Sequence, residues 1–266
     1  MADAQPPILL SVFGSTRSKM PYEKLHSAVK KRFPGHPTAI SYTSRMVREI
    51  EIKKENAPGV PPLPSEALAS FHEEGHDHAV VQSVHLVAGH EFYRMLDEVL
   101  DGPLRVSIGL PLLWSYEDYY KVAQGLMEEF SHHGERQAIC FIGHGTDHAA
   151  WTAYPALEMV MRDLGFKNAF IGVIEGEPGI DYVTEKVRKS GYEKVLLVSL
   201  MLVCGVHVME DILGNGSGSE SWKERFDGLG IEAEVMTKGL LELDTIQEIF
   251  LGHIEDALDL IPIGKR

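Results

Sequence analysis

The chain reads as an α/β doubly wound protein of two similar lobes, each a four-stranded parallel sheet flanked by helices, with the active site in the cleft between them. Three observations carry this expectation. Short runs rich in Val, Ile and Leu recur along the 266 residues, and several show almost no polar alternation, as parallel strands covered on both faces do. Segments of helical period separate these runs, so strand and helix alternate throughout. The halves also resemble each other: ILLSVFGST aligns with AICFIGHGT, setting Gly14 opposite Gly145, and AVVQSVHLVAGHE aligns with VLLVSLMLVCGVH, setting Gly89 opposite Gly205.

In chain order, strands are expected at 8–13 (ILLSVF), 38–42 (TAISY), 79–85 (AVVQSVH) and 104–110 (LRVSIGL). The second set falls at 137–142 (QAICFI), 169–174 (AFIGVI), 194–200 (KVLLVSL) and 231–236 (IEAEVM). Helical spacing marks 119–130, 150–164 and 182–189. It marks 241–261 as well, where Leu243, Ile246, Phe250, Ile254 and Leu258 share one face. The cut between lobes is expected near Ser131–Glu135, giving lobes of 1–133 and 134–266. The Pro-rich stretch at 57–65 is a loop inside the first lobe. The last helix either packs on its own lobe or crosses to the other.

The formal charge of −14 disfavours nucleic acid and anionic membranes as partners, since neither polyanion gains from the encounter. Two cysteines, Cys140 and Cys204, cannot build a disulfide framework, and both sit in apolar runs that suit buried thiols in a reducing compartment. No run reaches the roughly 18 apolar residues of a membrane span, and no export signal is read at the N-terminus. A cytoplasmic protein is expected.

His72-Glu73-Glu74-Gly75-His76 satisfies the zinc-hydrolase pattern letter for letter, but Gly75 is read as the residue that ends a helix. The two imidazoles would then not share a helical face, so that chemistry is rejected. The Phe13-Gly14-Ser15-Thr16-Arg17 turn lacks both the dinucleotide glycine spacing and a phosphate-loop lysine, which disfavours ATP-driven chemistry.

A stronger constellation lies in the second half. His144 follows one strand in Gly143-His144-Gly145, Glu175 follows the next, and His207 follows the third in Cys204-Gly205-Val206-His207. Open α/β sheets bind ligands at the carboxyl ends of their strands. With the first strand between the second and third, neighbouring ends lie about 4.8 Å apart, close enough for two imidazoles and a carboxylate to meet on one divalent ion. Such a set leaves coordination positions open, which suits a catalytic metal. Cys204 fits a structural thiol better than a fourth ligand, and His148 is either a neighbour of the site or exposed.

Gly143-His144-Gly145-Thr146 followed by Ala153-Tyr154, QSVHLVAGHEF (82–92), GLPLL (109–113), LMLVCGVHVMEDI (200–212) and SWKERFDGLGIEA (221–233) resemble, in order and spacing, the anaerobic sirohydrochlorin cobalt chelatases. These are ATP-independent class II chelatases, relatives of the ferrochelatases. The resemblance implies two flavodoxin-like lobes, a tetrapyrrole held between them, and metal ligands at His144, Glu175 and His207. It further implies insertion of Co²⁺, with Fe²⁺ as a second metal substrate, into sirohydrochlorin for cobalamin or sirohaem. His144 or Glu175 would accept the departing pyrrole protons. Where many relatives carry Asp or Glu before the second His, this chain has Val206. Haem, carried by some exported relatives, is not expected, and self-association is. Sirohydrochlorin is a polycarboxylate, so this acidic chain must supply local positive potential. Arg17, Lys19, Arg45 and Arg48 are candidates near the first-lobe strand ends, with Ser15 in the Gly14–Thr16 turn and His85 at a strand end. The competing expectation is a non-catalytic metal or tetrapyrrole carrier on the same fold.

Overall fold

The computed structural model describes residues 5–54, 59–133, 136–205, 208–214 and 220–264. All eight expected strands form. They are β1 (Ile8–Val12), β2 (Thr38–Tyr42), β3 (His78–Val84), β4 (Arg105–Gly109), β5 (Ala138–Gly145), β6 (Ala169–Glu175), β7 (Lys194–Ser199) and β8 (Glu232–Met236). They make two all-parallel sheets of identical order, β2-β1-β3-β4 and β6-β5-β7-β8, as the internal duplication requires. In each sheet the first strand lies between the second and third. β1 is buried along its whole length, which explains its lack of polar alternation.

The helices are α1 (Met20–Arg32), α2 (Arg45–Lys53), α3 (Pro64–Glu73), α4 (His90–Leu100), α5 (Tyr116–Phe130), α6 (Ala153–Asp163), α7 (Ile180–Lys189), α8 (Trp222–Gly228) and α9 (Asp244–Leu258). Their ends are set by local chemistry. Ser44 and Ser115 cap α2 and α5 by accepting from Val47 N–H and Asp118 N–H. Gly75 terminates the α3 segment, with its N–H bonded to His72 O and His76 N–H bonded to Phe71 O. His76 therefore lies past the helix, and the zinc-hydrolase reading stays rejected on geometry.

On the first sheet, Leu9, Val81 and Val106 pack with Leu68 and Phe71 of α3 and Met95 and Val99 of α4. On the second, Cys140, Ile142 and Phe170 pack with Val183 and Val187 of α7 and Trp222 and Phe226 of α8. Gly172 in β6 is a packing glycine, since a Cβ there would stand 2.3 Å from the Trp222 ring. Each large side chain so buried contributes about 1.5–3 kcal/mol.

The chain divides into two compact units, Met1–Trp114 with Gln247–Arg266, and Ser115–Ile246. This differs from a cut at 133/134. Helix α5 goes with the second sheet because Phe130 packs edge-on against Phe141 of β5 at 5.4 Å and Glu129 pairs with Lys238 at 2.7 Å. The C-terminal segment goes with the first, where Arg32 of α1 pairs with Glu248 and Glu255 and Ile263 bridges Val106 of β4. Among the described residues no helix is long and apolar enough to cross a membrane.

Candidate functional site

The site is built at the carboxyl edge of the second sheet. Strand β5 runs three residues past the apolar run that announced it, so His144 is the penultimate residue of the central strand instead of following it. Two glycines make this possible. At Gly143 the space for a side chain is filled by the buried Tyr154 ring, whose Cε1 would be 2.5 Å from an added Cβ. Gly145 has φ +91°, and a Cβ there would stand 1.8 Å from the carbonyl oxygen of Glu175. Only glycine lets β5 and β6 close at this level, where the register pairs Gly145 with Glu175.

His144, half-buried, stands one residue before the position that pairs with Glu175, which is exposed. His144 Nδ1 lies 3.4 Å from Gly145 O. That contact favours the ring proton on Nδ1, which makes Nε2 the acceptor nitrogen of the ring. An imidazole and a carboxylate at adjoining strand ends can bind a divalent metal and can accept protons.

The third expected ligand, His207, lies outside the described residues, as does Val206. The chain leading to it is held firmly. Leu200 N–H donates to Ile142 O at 2.8 Å, and Leu240 N–H and Leu241 N–H donate to Met201 O and Leu202 O at 2.8 and 3.0 Å. Among the described residues no three His, Cys, Asp or Glu side chains form a metal-holding group. Cys204 packs against the core around Trp222 and Phe226, and Cys140 is buried in β5, where burial pushes its thiol pKa up. His148 accepts from Ala150 N–H at 3.1 Å and caps the 3-10 turn Ala149–Thr152.

In the first unit, the basic candidates separate into paired and unpaired. Lys19 pairs with buried Glu51 at 3.0 Å, and Arg48 pairs with Glu66 at 2.9 Å. Arg17 and Arg45 are exposed and, among the described residues, carry no ion pair. Ser15 is buried, and its Oγ accepts from Arg17 N–H and Ser18 N–H at 3.2 Å each. His85 is also buried, with Nδ1 at 2.8 Å from Ser83 Oγ and Nε2 at 3.3 Å from Thr43 Oγ1. Burial lowers its pKa to about 4, so the ring is neutral near pH 7.

Two features escaped the sequence reading. Tyr154 reaches back from α6 so that its hydroxyl accepts from Gly145 N–H at 3.2 Å. Glu158, also on α6, is buried and gathers Arg162 at 2.9 Å, Lys186 and the backbone N–H of Ile171 at 3.0 Å. Its carboxylate thereby covers part of the free edge of β6, as a neighbouring strand would. A surface groove of about 540 Å³ above it is lined by Trp151, Met159 and Tyr182 among others. No sequence spacing announces these contacts: Tyr154 stands in the sequence only as part of the motif that follows His144, and Glu158 reads as an ordinary helix position.

Residues 7–259 match the family model described as cobalt chelatase (CbiK). A sirohydrochlorin cobaltochelatase of Salmonella typhimurium is 34% identical over 200 residues, covering 74% of this chain and 75% of that protein. The sirohydrochlorin cobaltochelatase CbiKC of Nitratidesulfovibrio vulgaris is 28% identical over 263 residues, covering 96% and 91%. Among solved structures, SirB from Bacillus subtilis with Fe³⁺ superposes with a TM-score of 0.68 at 14% identity, over 96% of both chains. The sirohydrochlorin chelatase SirB from Bacillus subtilis subspecies spizizenii in complex with cobalt gives 0.61 at 14% identity, over 96% of both chains. At that identity the likeness speaks for the fold.

Proposed function

The chain belongs to the cobalt chelatase (CbiK) family, and from that premise we propose that it inserts Co²⁺ into sirohydrochlorin without ATP, using His144, Glu175 and His207 as metal ligands. It is an enzyme, and the metal is its substrate. The product serves cobalamin biosynthesis. The same donor set accepts Fe²⁺, whose product is sirohaem, since a His₂–carboxylate site selects by geometry and supply more than by affinity.

The observation that supports the site assignment is the register of β5 on β6, which pairs Gly145 with Glu175 and so makes the strand ends that carry His144 and the carboxylate neighbours. In the reaction a divalent cation enters the macrocycle and two pyrrole N–H protons leave, so charge balances and no phosphoryl donor is needed. His144 and Glu175 hold the metal with positions open toward the ring. As pyrrole nitrogens take the metal over, the imidazole Nε2 and the carboxylate are released next to the departing protons and accept them.

Substrate binding must overcome a chain charge of −14. Arg17 and Arg45 enter this reading as the partners of the sirohydrochlorin carboxylates, being exposed and without ion pairs among the described residues. Ser15 and His85 enter it as residues that shape the loop and the floor beside them, their polar atoms already bonded within the unit. A cytoplasmic homo-oligomer completes the reading, which size-exclusion chromatography tests.

The decisive experiment is an anaerobic absorbance assay with sirohydrochlorin and Co²⁺, comparing the wild type with His144→Ala and His207→Ala. Conversion well beyond one equivalent of protein, with a sharp loss in both variants, is the expected outcome. Stoichiometric uptake without insertion would mean a carrier, and unchanged rates in both variants would remove the site assignment.

A further inference from the structure

We propose that Tyr154 is a positioning residue for the metal ligand His144, acting through both backbone groups of Gly145; this rests on the reading of His144 as a ligand. The geometry forms a continuous chain of contacts. The Tyr154 hydroxyl accepts from Gly145 N–H at 3.2 Å, and the carbonyl of that same Gly145 lies 3.4 Å from His144 Nδ1. The far end of the imidazole is the Nε2 that would meet the metal. Tyr154 thus holds the peptide unit joining His144 to Gly145, and Gly145 in turn holds the ring.

Three further observations show that the contact is built in. The Tyr154 ring occupies the space a side chain at Gly143 would need, so the residue before His144 is kept bare to admit it. Tyr154 is 2% exposed, and burial raises its pKa, so the hydroxyl stays protonated and keeps its acceptor lone pairs on the backbone amide. Gly145 is the last residue of β5, with φ +91°, and there its N–H is bonded to the Tyr154 hydroxyl. Groups that orient a ligand from behind in this way typically change metal affinity by about 10- to 100-fold when removed.

The test uses the full chain and reads metal binding apart from turnover. Co²⁺ affinity is measured by calorimetry on wild type, Tyr154→Phe, His144→Ala and the double variant, with thermal denaturation and separate KM values for Co²⁺ and sirohydrochlorin. Tyr154→Phe keeps the ring that packs on Gly143 and deletes only the oxygen. The expected result is Co²⁺ affinity weakened about tenfold, KM for Co²⁺ raised, KM for sirohydrochlorin unchanged and Tm little altered. In the His144→Ala background the same substitution should have no further effect, because the residue through which it acts is gone. Wild-type Co²⁺ affinity in Tyr154→Phe, or an undiminished additional loss in the double variant, overturns the proposal while leaving His144 as a ligand. Wild-type Co²⁺ affinity in His144→Ala overturns both.

Discussion

Replacing Gly145 by Ala tests whether the closure of β5 on β6 makes the site. The φ of +91° costs an alanine about 1 kcal/mol by itself. The added Cβ would stand 1.8 Å from Glu175 O, where ordinary contact begins at 3.4 Å, so the strand ends must part by the difference of about 1.6 Å. Parting them forfeits at least one interstrand hydrogen bond, about another 1 kcal/mol, with comparable strain in what remains. The total is about 3 kcal/mol. Gly165 supplies the control: its φ is +92° in the same unit, yet nothing lies within 4 Å of a Cβ there. Gly165→Ala should therefore cost only the backbone share, about 1 kcal/mol. Urea denaturation followed by circular dichroism measures both, and calorimetry with Co²⁺ measures the site. Gly145→Ala should be about 2 kcal/mol less stable than Gly165→Ala and should bind Co²⁺ more weakly, while Gly165→Ala binds normally. Equal stabilities would show that the close approach is not a constraint, and normal Co²⁺ binding in Gly145→Ala would show that strand closure does not set the ligand geometry.

Further outcomes follow from other sites. His85 has a folded pKa near 4 against an ordinary 6.5, so between those values the unfolded chain binds a proton that the folded chain refuses. Stability should fall as pH drops through that window, by up to about 3 kcal/mol, and level off below it. His85→Gln should flatten that limb, and an NMR titration of native His85 centred near pH 6.5 would contradict it. Glu158→Ala strands Arg162 and Lys186 and uncovers Ile171 N–H, so urea denaturation should show a loss of about 3 kcal/mol; a loss under about 1 kcal/mol would mean that solvent replaces the carboxylate. Arg17→Ala and Arg45→Ala should each raise KM for sirohydrochlorin about threefold to tenfold at low salt, less at high salt, with Tm unchanged. A KM indifferent to both substitutions would place the substrate carboxylates elsewhere.

The strands were legible because a strand buried on both faces has little freedom in composition. TAISY marks β2 to the residue, and the apolar runs of β6 and β7 locate those strands to within a residue at each end. The reading of β5 stopped at Ile142 because Gly143, His144 and Gly145 carry no apolar signal, although all three continue the strand. Helix α6 was expected from residue 150 and starts at 153, since His148 opens a 3-10 turn ahead of it. The place of His144 and Glu175 at strand ends was also legible, because order along the chain fixes which strand each one follows. His207 was placed by the same logic and lies outside the described residues.

Which helices go with which sheet was decided elsewhere. A helix shows its apolar stripe in the sequence but not the surface that will cover it, so α5 read as the end of the first half and joins the second sheet. The same limit applies inside the site. Periodicity and motif order determined that this protein carries two parallel sheets with a histidine and a carboxylate at neighbouring strand ends. Only the tertiary structure decided that Tyr154, ten residues beyond His144, would fill the space at Gly143 and hold the Gly145 amide. Sequence patterns record what each element must bury. Contacts between particular side chains and particular backbone groups arise only when those elements pack.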